Sequence, residues 1–191
     1  NQLWMVRAGE YGYLIDDFIS KGIIAIGWNK TGDLKGIDKI DKIKSLLESN
    51  YQEYKKGQIN NNAGQIYRFL HEFKIGDSVM TYNPTLRIYW IGEIESEYIF
   101  DKDICEYNHT RKVKWINNIQ RDDLSTQTKN TLGAIMTIFD IPKSSREEIL
   151  NLASGSKKQI IETEKEKESL ENIKEDFLAK SHEFIKDKIL S

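Results

Sequence analysis

The sequence predicts a mixed α+β fold built round a small half-open barrel, and three observations carry that expectation. From Ala63 to Phe73 the apolar residues Ile66, Phe69, Leu70 and Phe73 recur at the spacing of a helix packed on a core. Gly76-Asp77 then closes the run as a turn, because Gly accepts the positive φ that other residues resist. Ser78 to Asn83 and Arg87 to Tyr98 follow, dense in β-branched and aromatic residues, with Asn83-Pro84-Thr85-Leu86 between them as a turn. A helix, a turn and a hairpin of this kind curl into a β-pseudo-barrel whose polar-aromatic edge lines a cleft.

The other elements fit round this unit in order. Leu3 to Arg7 reads as a first buried strand, and Ala8 to Tyr13 as a glycine-spaced loop. Leu14 to Lys21 is a short helix stopped by Gly22. Ile23 to Trp28 is a nearly all-apolar strand, hence covered on both faces. Ile37 to Lys56 carries Ile40, Ile43, Leu47, Tyr51 and Tyr54 at helical spacing. Thr110 to Trp115 alternates as a strand with one wet face does. Ser125 to Phe139 reads as a helix bent near Gly133 and ended by Pro142. Ser144 to Ala153 is another, with Ser145 and Glu148 at the spacing of a capping box.

Composition changes after Ser154-Gly155-Ser156. Residues 157–191 hold 8 Lys and 9 Asp or Glu in 35 positions, with an apolar stripe of Leu170, Ile173, Phe177 and Phe184 in the second half. The expected division is a domain over 1–153 and a long charged C-terminal helix over 154–191, a linker adding little to the domain's stability. Its apolar stripe calls for cover from a following domain, from a second copy of the chain, or from Ile135, Ile138 and Phe139 of the body.

Bulk properties narrow the function. A net charge of -2 over 191 residues is unlike a strongly basic nucleic-acid module. A lone cysteine, Cys105, argues for a reducing compartment, and no apolar run reaches membrane-spanning length, so the expectation is a cytoplasmic chain with no membrane partner. His71, His109 and His182 form no metal-ligand spacing, and no nucleophile-base arrangement is suggested. Asp16-Asp17 and Asp122-Asp123 are adjacent pairs that point apart on a helix, and Gly9 to Gly12 lacks the spacing and Lys of a nucleotide cradle. Neither a catalytic residue nor a metal ligand is expected in this chain.

Aromatic and amide residues are the better signal. Trp28 closes its strand where the chain leaves the core, and Tyr82-Asn83 and Tyr89-Trp90 flank the hairpin turn. With Asn60, Asn61, Asn62 and Gln65 at the start of the helix they suit a base-reading pocket, where rings stack a base and amides read its edge. Asn62 as a helix cap is the alternative.

The ordered motifs W-x-V-R-A-G (Trp4 to Gly9), A-I-G-W (Ala25 to Trp28), N-N-x-G-Q-I-x-x-F (Asn61 to Phe69), I-G-D-x-V-x-x-Y-N (Ile75 to Asn83) and I-G-E-I-x-S-E-Y (Ile91 to Tyr98) resemble the EVE-like branch of the PUA superfamily, which includes the YTH readers of N6-methyladenine. More closely, they resemble the amino-terminal region of Mrr-type, modification-dependent restriction endonucleases, over about residues 3 to 116, in keeping with a ~100-residue domain. Phe177 to Ser191 is similar to the helical lead-in of the Mrr nuclease domain.

The resemblance implies a DNA-recognition module that binds a modified, flipped-out base in phage defence. A Mg²⁺-dependent nuclease domain would lie after Ser191, with no cofactor in residues 1–191. It places the pocket at Arg7, Ala8, Gly9, Trp28, Asn62, Gln65, Tyr82 and Asn83, and phosphate contacts fall to Lys55, Lys56, Arg68 and Arg87. A DNA-binding face should gather these four with Lys74, Arg111, Lys112 and Lys114 round the pocket. Scattered, they would favour a protein-interaction or oligomerisation module, with the C-terminal helix pairing two copies; a PUA-like reader of RNA is the third reading.

Overall fold

The computed structural model describes residues 1–155. Seven strands and five α-helices make an α+β fold in which a curled sheet, a β-pseudo-barrel, is flanked by helices. The strands are β1 (Leu3–Val6), β2 (Ile23–Ile26), β3 (Ser78–Asn83), β4 (Ile88–Ile94), β5 (Ile99–Phe100), β6 (His109–Gln120) and β7 (Ile138–Asp140). They run β2-β6-β4-β3-β1-β7 across the sheet, with β5 on β6. β1 is parallel to β3 (Met5 opposite Met80), and the remaining pairs are antiparallel.

Every residue of β1 is buried because both faces of the sheet are covered. Trp4 and Val6 join one core with residues of α1 (Ile15–Lys21), α2 (Ile40–Asn50) and α3 (Lys56–Tyr67). Leu3 and Met5, pointing the other way, join a second core beside Leu132 of α4 (Thr126–Leu132) and Ile149 of α5 (Lys143–Ala153). α1 stops where expected, at Gly22 in the left-handed conformation.

The twelve-residue β6 makes the curl. Its first residues pair with β2 (Ala25 opposite Thr110), and its later ones with β4 (Ile94 opposite Val113). A bulge follows: Ile91 faces Asn117 but Gly92 faces Trp115, so Ile116 is the extra residue. Backbone approaches closely here, since a Cβ on Gly92 would lie 2.7 Å from the Lys114 carbonyl oxygen. Gly92→Ala is therefore expected to cost about 1–3 kcal/mol as an overpacking change. Thermal unfolding should show a melting temperature lower by about 2–12 °C; an unchanged value would mean that the crossing opens freely.

Arg111, on β6, has no solvent exposure. Its guanidinium donates to the carbonyls of Phe69 (2.9 Å), Leu70 (3.1 Å) and Ser96 (3.0 Å) and lies over the rings of Phe69 and Phe73. The first two carbonyls belong to a π-helical turn, Arg68–Glu72, that ends α3. This is where a helix leaves acceptors unpaired and where its dipole favours a cation.

Four expectations are corrected. α2 ends at Asn50, so Tyr51 and Tyr54 leave the helix and stack on each other in the following loop, 4.9 Å apart. α3 begins at Lys56, with Lys55 as its cap, so Asn62 sits inside the helix and does not cap it. Ser125 to Phe139 is not one helix: α4 stops at Leu132, and Ile138–Asp140 form β7 because β1 offers them an edge. Pro142 starts α5 instead of ending α4, and the carboxylate of Glu148 reaches α4, accepting from the backbone N–H (2.6 Å) and hydroxyl (2.8 Å) of Ser125. The expectations for 157–191 lie outside the described residues. Ile138 and Phe139, offered there as cover for the tail, are buried within the domain itself.

Candidate nucleic-acid interface

A cleft of about 710 Å³ opens at one end of the sheet, where loops from six parts of the chain converge. The segment after β1 supplies Arg7, Ala8, Gly9 and Tyr11, and the end of β2 leads into Trp28. Tyr51 and Tyr54 come from the α2–α3 loop, Tyr82 and Pro84 from the β3–β4 hairpin, and Tyr107 from the loop before β6. The α4–β7 connection, Gly133 to Thr137, forms the remaining wall. Six aromatic side chains thus line one cavity.

Two of them, Tyr11 (φ 55°) and Trp28, have positive-φ backbones, and Trp28 is the one fixed through its carbonyl. Its backbone is left-handed (φ 59°, ψ 38°), an arrangement that bulky side chains resist. Bonds to its carbonyl hold it there: Thr31 Oγ1 donates at 2.9 Å and His109 Nε2 at 3.2 Å. A carbonyl only accepts, so the His109 proton sits on Nε2, and Nδ1 takes the Tyr98 hydroxyl proton at 2.7 Å. The Leu34 N–H in turn donates to the Tyr98 oxygen (3.1 Å). His109 is fully buried, and burial lowers its pKa and keeps the ring neutral. A buried relay thus fixes the Trp28 backbone, while its indole hydrogen-bonds the Tyr54 hydroxyl.

The other rings are braced from behind. Tyr82 stacks on Tyr89 (4.5 Å), and the Tyr107 ring meets Tyr13 edge-on (6.1 Å). Burial, with bonding to Tyr107 and Glu106, raises the Tyr13 phenol pKa. The Gly9–Gly12 loop is packing in purpose: Gly12 has φ 71°, and a Cβ on it would lie 2.8 Å from Pro84 Cδ. That contact seats the loop against the hairpin and presents Tyr11 at the rim.

Of the residues expected at the pocket, the structure brings Arg7, Ala8, Gly9, Trp28 and Tyr82 to one cavity. Gln65 is elsewhere. It is 4% exposed; its Oε1 accepts from Thr137 N (2.9 Å) and Ile138 N (3.0 Å), and its amide donates to Asn61 Oδ1 (3.0 Å). It positions the cleft wall. Asn83 accepts from Leu86 N and shapes the hairpin turn, and Asn62 lies half-buried on α3 away from the lining. Arg7 donates to the carbonyls of Leu132 and Met136 (3.1 Å each) and of Ala134, so it too fastens the 132–136 loop.

The basic residues expected at phosphates lie outside the cavity lining. Lys55 and Lys56 are exposed at the start of α3, Arg68 is half-buried in the π-helical turn, and Arg87 pairs with Asp122 at 2.7 Å. Arg87 holds the Asp122 carboxyl below its usual pKa. None of these, nor Lys74, Arg111, Lys112 or Lys114, is in the lining, which among the described residues carries one cation, Arg7, and one anion, Glu10.

Sequence reasoning missed Tyr11, Tyr51, Tyr54, Tyr107 and the whole 133–137 wall. Tyr51 and Tyr54 had a signal, since a Tyr-x-x-Tyr pair after Asn50 marks a helix end as readily as a helix face. Among the described residues no group of three or more His, Cys, Asp or Glu could hold a metal ion, and no helix is long and apolar enough to cross a membrane.

Fold and site together define an α+β domain with an aromatic cleft at the open end of a curled sheet. The chain belongs to the family described as Domain of unknown function (DUF8426), whose model matches residues 4–142. No curated protein matches the sequence. Among solved structures it is similar to the YTH domain of the Zygosaccharomyces rouxii MRB1 protein in complex with N6-methyladenosine RNA, at 14% identity and a TM-score of 0.43, over 84% of this chain and 88% of that one. It is also similar to Rpa0253 from Rhodopseudomonas palustris, at 11% identity and a TM-score of 0.42, over 85% and 99%.

Proposed function

We propose that the domain reads a modified, flipped-out base of DNA, as the PUA/EVE-like specificity module of an Mrr-type restriction endonuclease. The observation that carries this is the cleft itself, with Trp28 locked at its wall and five tyrosines round it. Aromatic faces hold any base by stacking. A volume of about 710 Å³ lies inside the range of roughly 300–1,000 Å³ common for small-ligand sites, ample for a nucleoside. The ordered motifs supply the DNA and nuclease parts of the reading. In it, 1–153 is the reader, 154–191 is the charged linker, and the partner domain is a Mg²⁺-dependent nuclease, in the cytoplasm.

A cavity lining whose one cation among the described residues is Arg7 favours a second reading, a protein-interaction module. In the first reading Arg87 is already paired with Asp122, which leaves Lys55, Lys56 and Arg68 for phosphates, so affinity should depend weakly on salt. The test is binding of this chain, at fixed salt, to duplexes carrying N6-methyladenine, 5-methylcytosine, 5-hydroxymethylcytosine or no modification, beside the matching RNA. One modified duplex should bind at least about tenfold more tightly than the unmodified one, with a log-log salt slope shallower than about -3, the value for some three phosphate contacts. Equal binding of all duplexes would remove base reading, preference for the RNA would move the reader to that polymer, and binding to none would leave the interaction reading.

A further inference from the structure

The α4–β7 connection carries an apolar side chain that stands on the cleft rim with almost all of its surface in solvent. Ile135 is 99% exposed, at the crest of the 133–137 wall. The other large apolar side chains on the surface keep between a third and two thirds of their area covered, and Ile138, three residues on, is completely buried. A single exposed apolar residue is ordinary on a protein surface. What is unusual here is the support beneath it.

The loop is fastened at both feet. The Arg7 guanidinium donates to the carbonyls of Leu132, Ala134 and Met136, on either side of Ile135. The Arg7 backbone N–H donates to the Thr137 carbonyl (3.0 Å), and Gln65 Oε1 accepts from Thr137 and Ile138. Two polar side chains, one of them almost wholly buried, are thus committed to holding a loop whose Ala134 and Met136 pack on the second core while Ile135 between them stands clear. Isoleucine adds stiffness, because branching at Cβ restricts χ1. A loop held on both sides of Ile135 presents an apolar tip at the mouth of an aromatic cleft.

We propose that Ile135 is a wedge: it enters the base stack in the space left by the nucleotide that the cleft takes up, and so adapts the site to double-stranded nucleic acid. Apolar side chains placed between base steps are a recurrent means of unstacking a duplex, and extrusion of a base from a duplex, but not from a single strand, leaves a gap to fill. Tyr11, on the cleft wall and 55% exposed, offers a ring face for the nucleotide next to the extruded one. The inference depends on the base-reading proposal, and its test keeps the two apart.

The full chain and its Ile135→Ala and Trp28→Ala variants would be titrated with duplexes holding one N6-methyladenine or one 5-methylcytosine, and with the same modified strands unpaired. 2-Aminopurine beside the modified base would report unstacking. Ile135→Ala should weaken duplex binding by tenfold or more, change single-strand binding less than twofold, and lower the 2-aminopurine signal at saturation. Trp28→Ala should weaken both. Equal loss on duplex and single strand would make Ile135 part of the cleft wall, and no loss on either would leave it without a role; both results overturn the wedge and spare the reader. Failure of the unaltered chain to bind any modified strand overturns the reader and the wedge with it. Ile135 covers nothing, so its variant should melt with the parent chain.

Discussion

Replacing Trp28 with alanine is expected to lower affinity for the modified duplex by roughly 5- to 150-fold, the loss of one stacking platform worth about 1–3 kcal/mol. The ring is placed for that role by its backbone. Held left-handed by Thr31 and His109, Trp28 stands at the cleft wall with its indole N–H turned to Tyr54. A Trp28→Gly variant sharpens the result. Both replacements remove the ring, but glycine accepts φ 59° without strain and should be the more stable of the two by roughly 0.5–1 kcal/mol. Fluorescence anisotropy beside a melting curve reads both quantities. Equal affinity of parent and variants would remove Trp28 from the site, and a less stable glycine variant would show that the relay to its carbonyl does not maintain the strained form.

Arg111→Met should destabilise the domain by about 3–5 kcal/mol, the cost of leaving buried partners of a cation unpaired. In urea or heat this is a fall in melting temperature of about 6–20 °C for a domain of this size. Three carbonyls lose their donor together, two of them at fully buried bonds. Burial lowers the Arg111 pKa, yet a guanidinium stays protonated in a protein, so the charge is permanent. Arg111→Lys keeps the charge but not the planar fork, and should recover only part of the loss. A cost under about 1 kcal/mol for the methionine variant would show that the π-helical turn finds other donors.

The residues that spoke clearly from the sequence are those whose neighbours are close in the chain. β3 was legible to the residue, and α1 ended at Gly22, because strand composition and a left-handed cap are local facts. β7 was not. Leu132, Ile135, Met136 and Phe139 recur at helical spacing, and only the edge of β1, more than 130 residues away, turns Ile138 to Asp140 into a strand. Glu148 has the spacing of a capping box, but its carboxylate serves the start of α4. At the site, the rings that leave a strand end could be read, as with Trp28 and Tyr82. Amides could not: Gln65 was placed in the pocket by its side chain, and the bonds that bury it come from Thr137 and Ile138, on the far side of the sequence.

The position of β1 governs the order in which this chain can fold. Its first partner, β3, is made some 75 residues later, and its second, β7, some 135 residues later, where Trp4 meets Asp140. Until then the most apolar stretch near the amino terminus has an unpaired edge, and loop closure over such distances makes assembly slow. A ribosome-bound chain must therefore hold Leu3 to Val6 in reserve until residue 140 has emerged. A product cut short before Ile138 would keep that edge open, an apolar pairing surface of the kind from which aggregates grow.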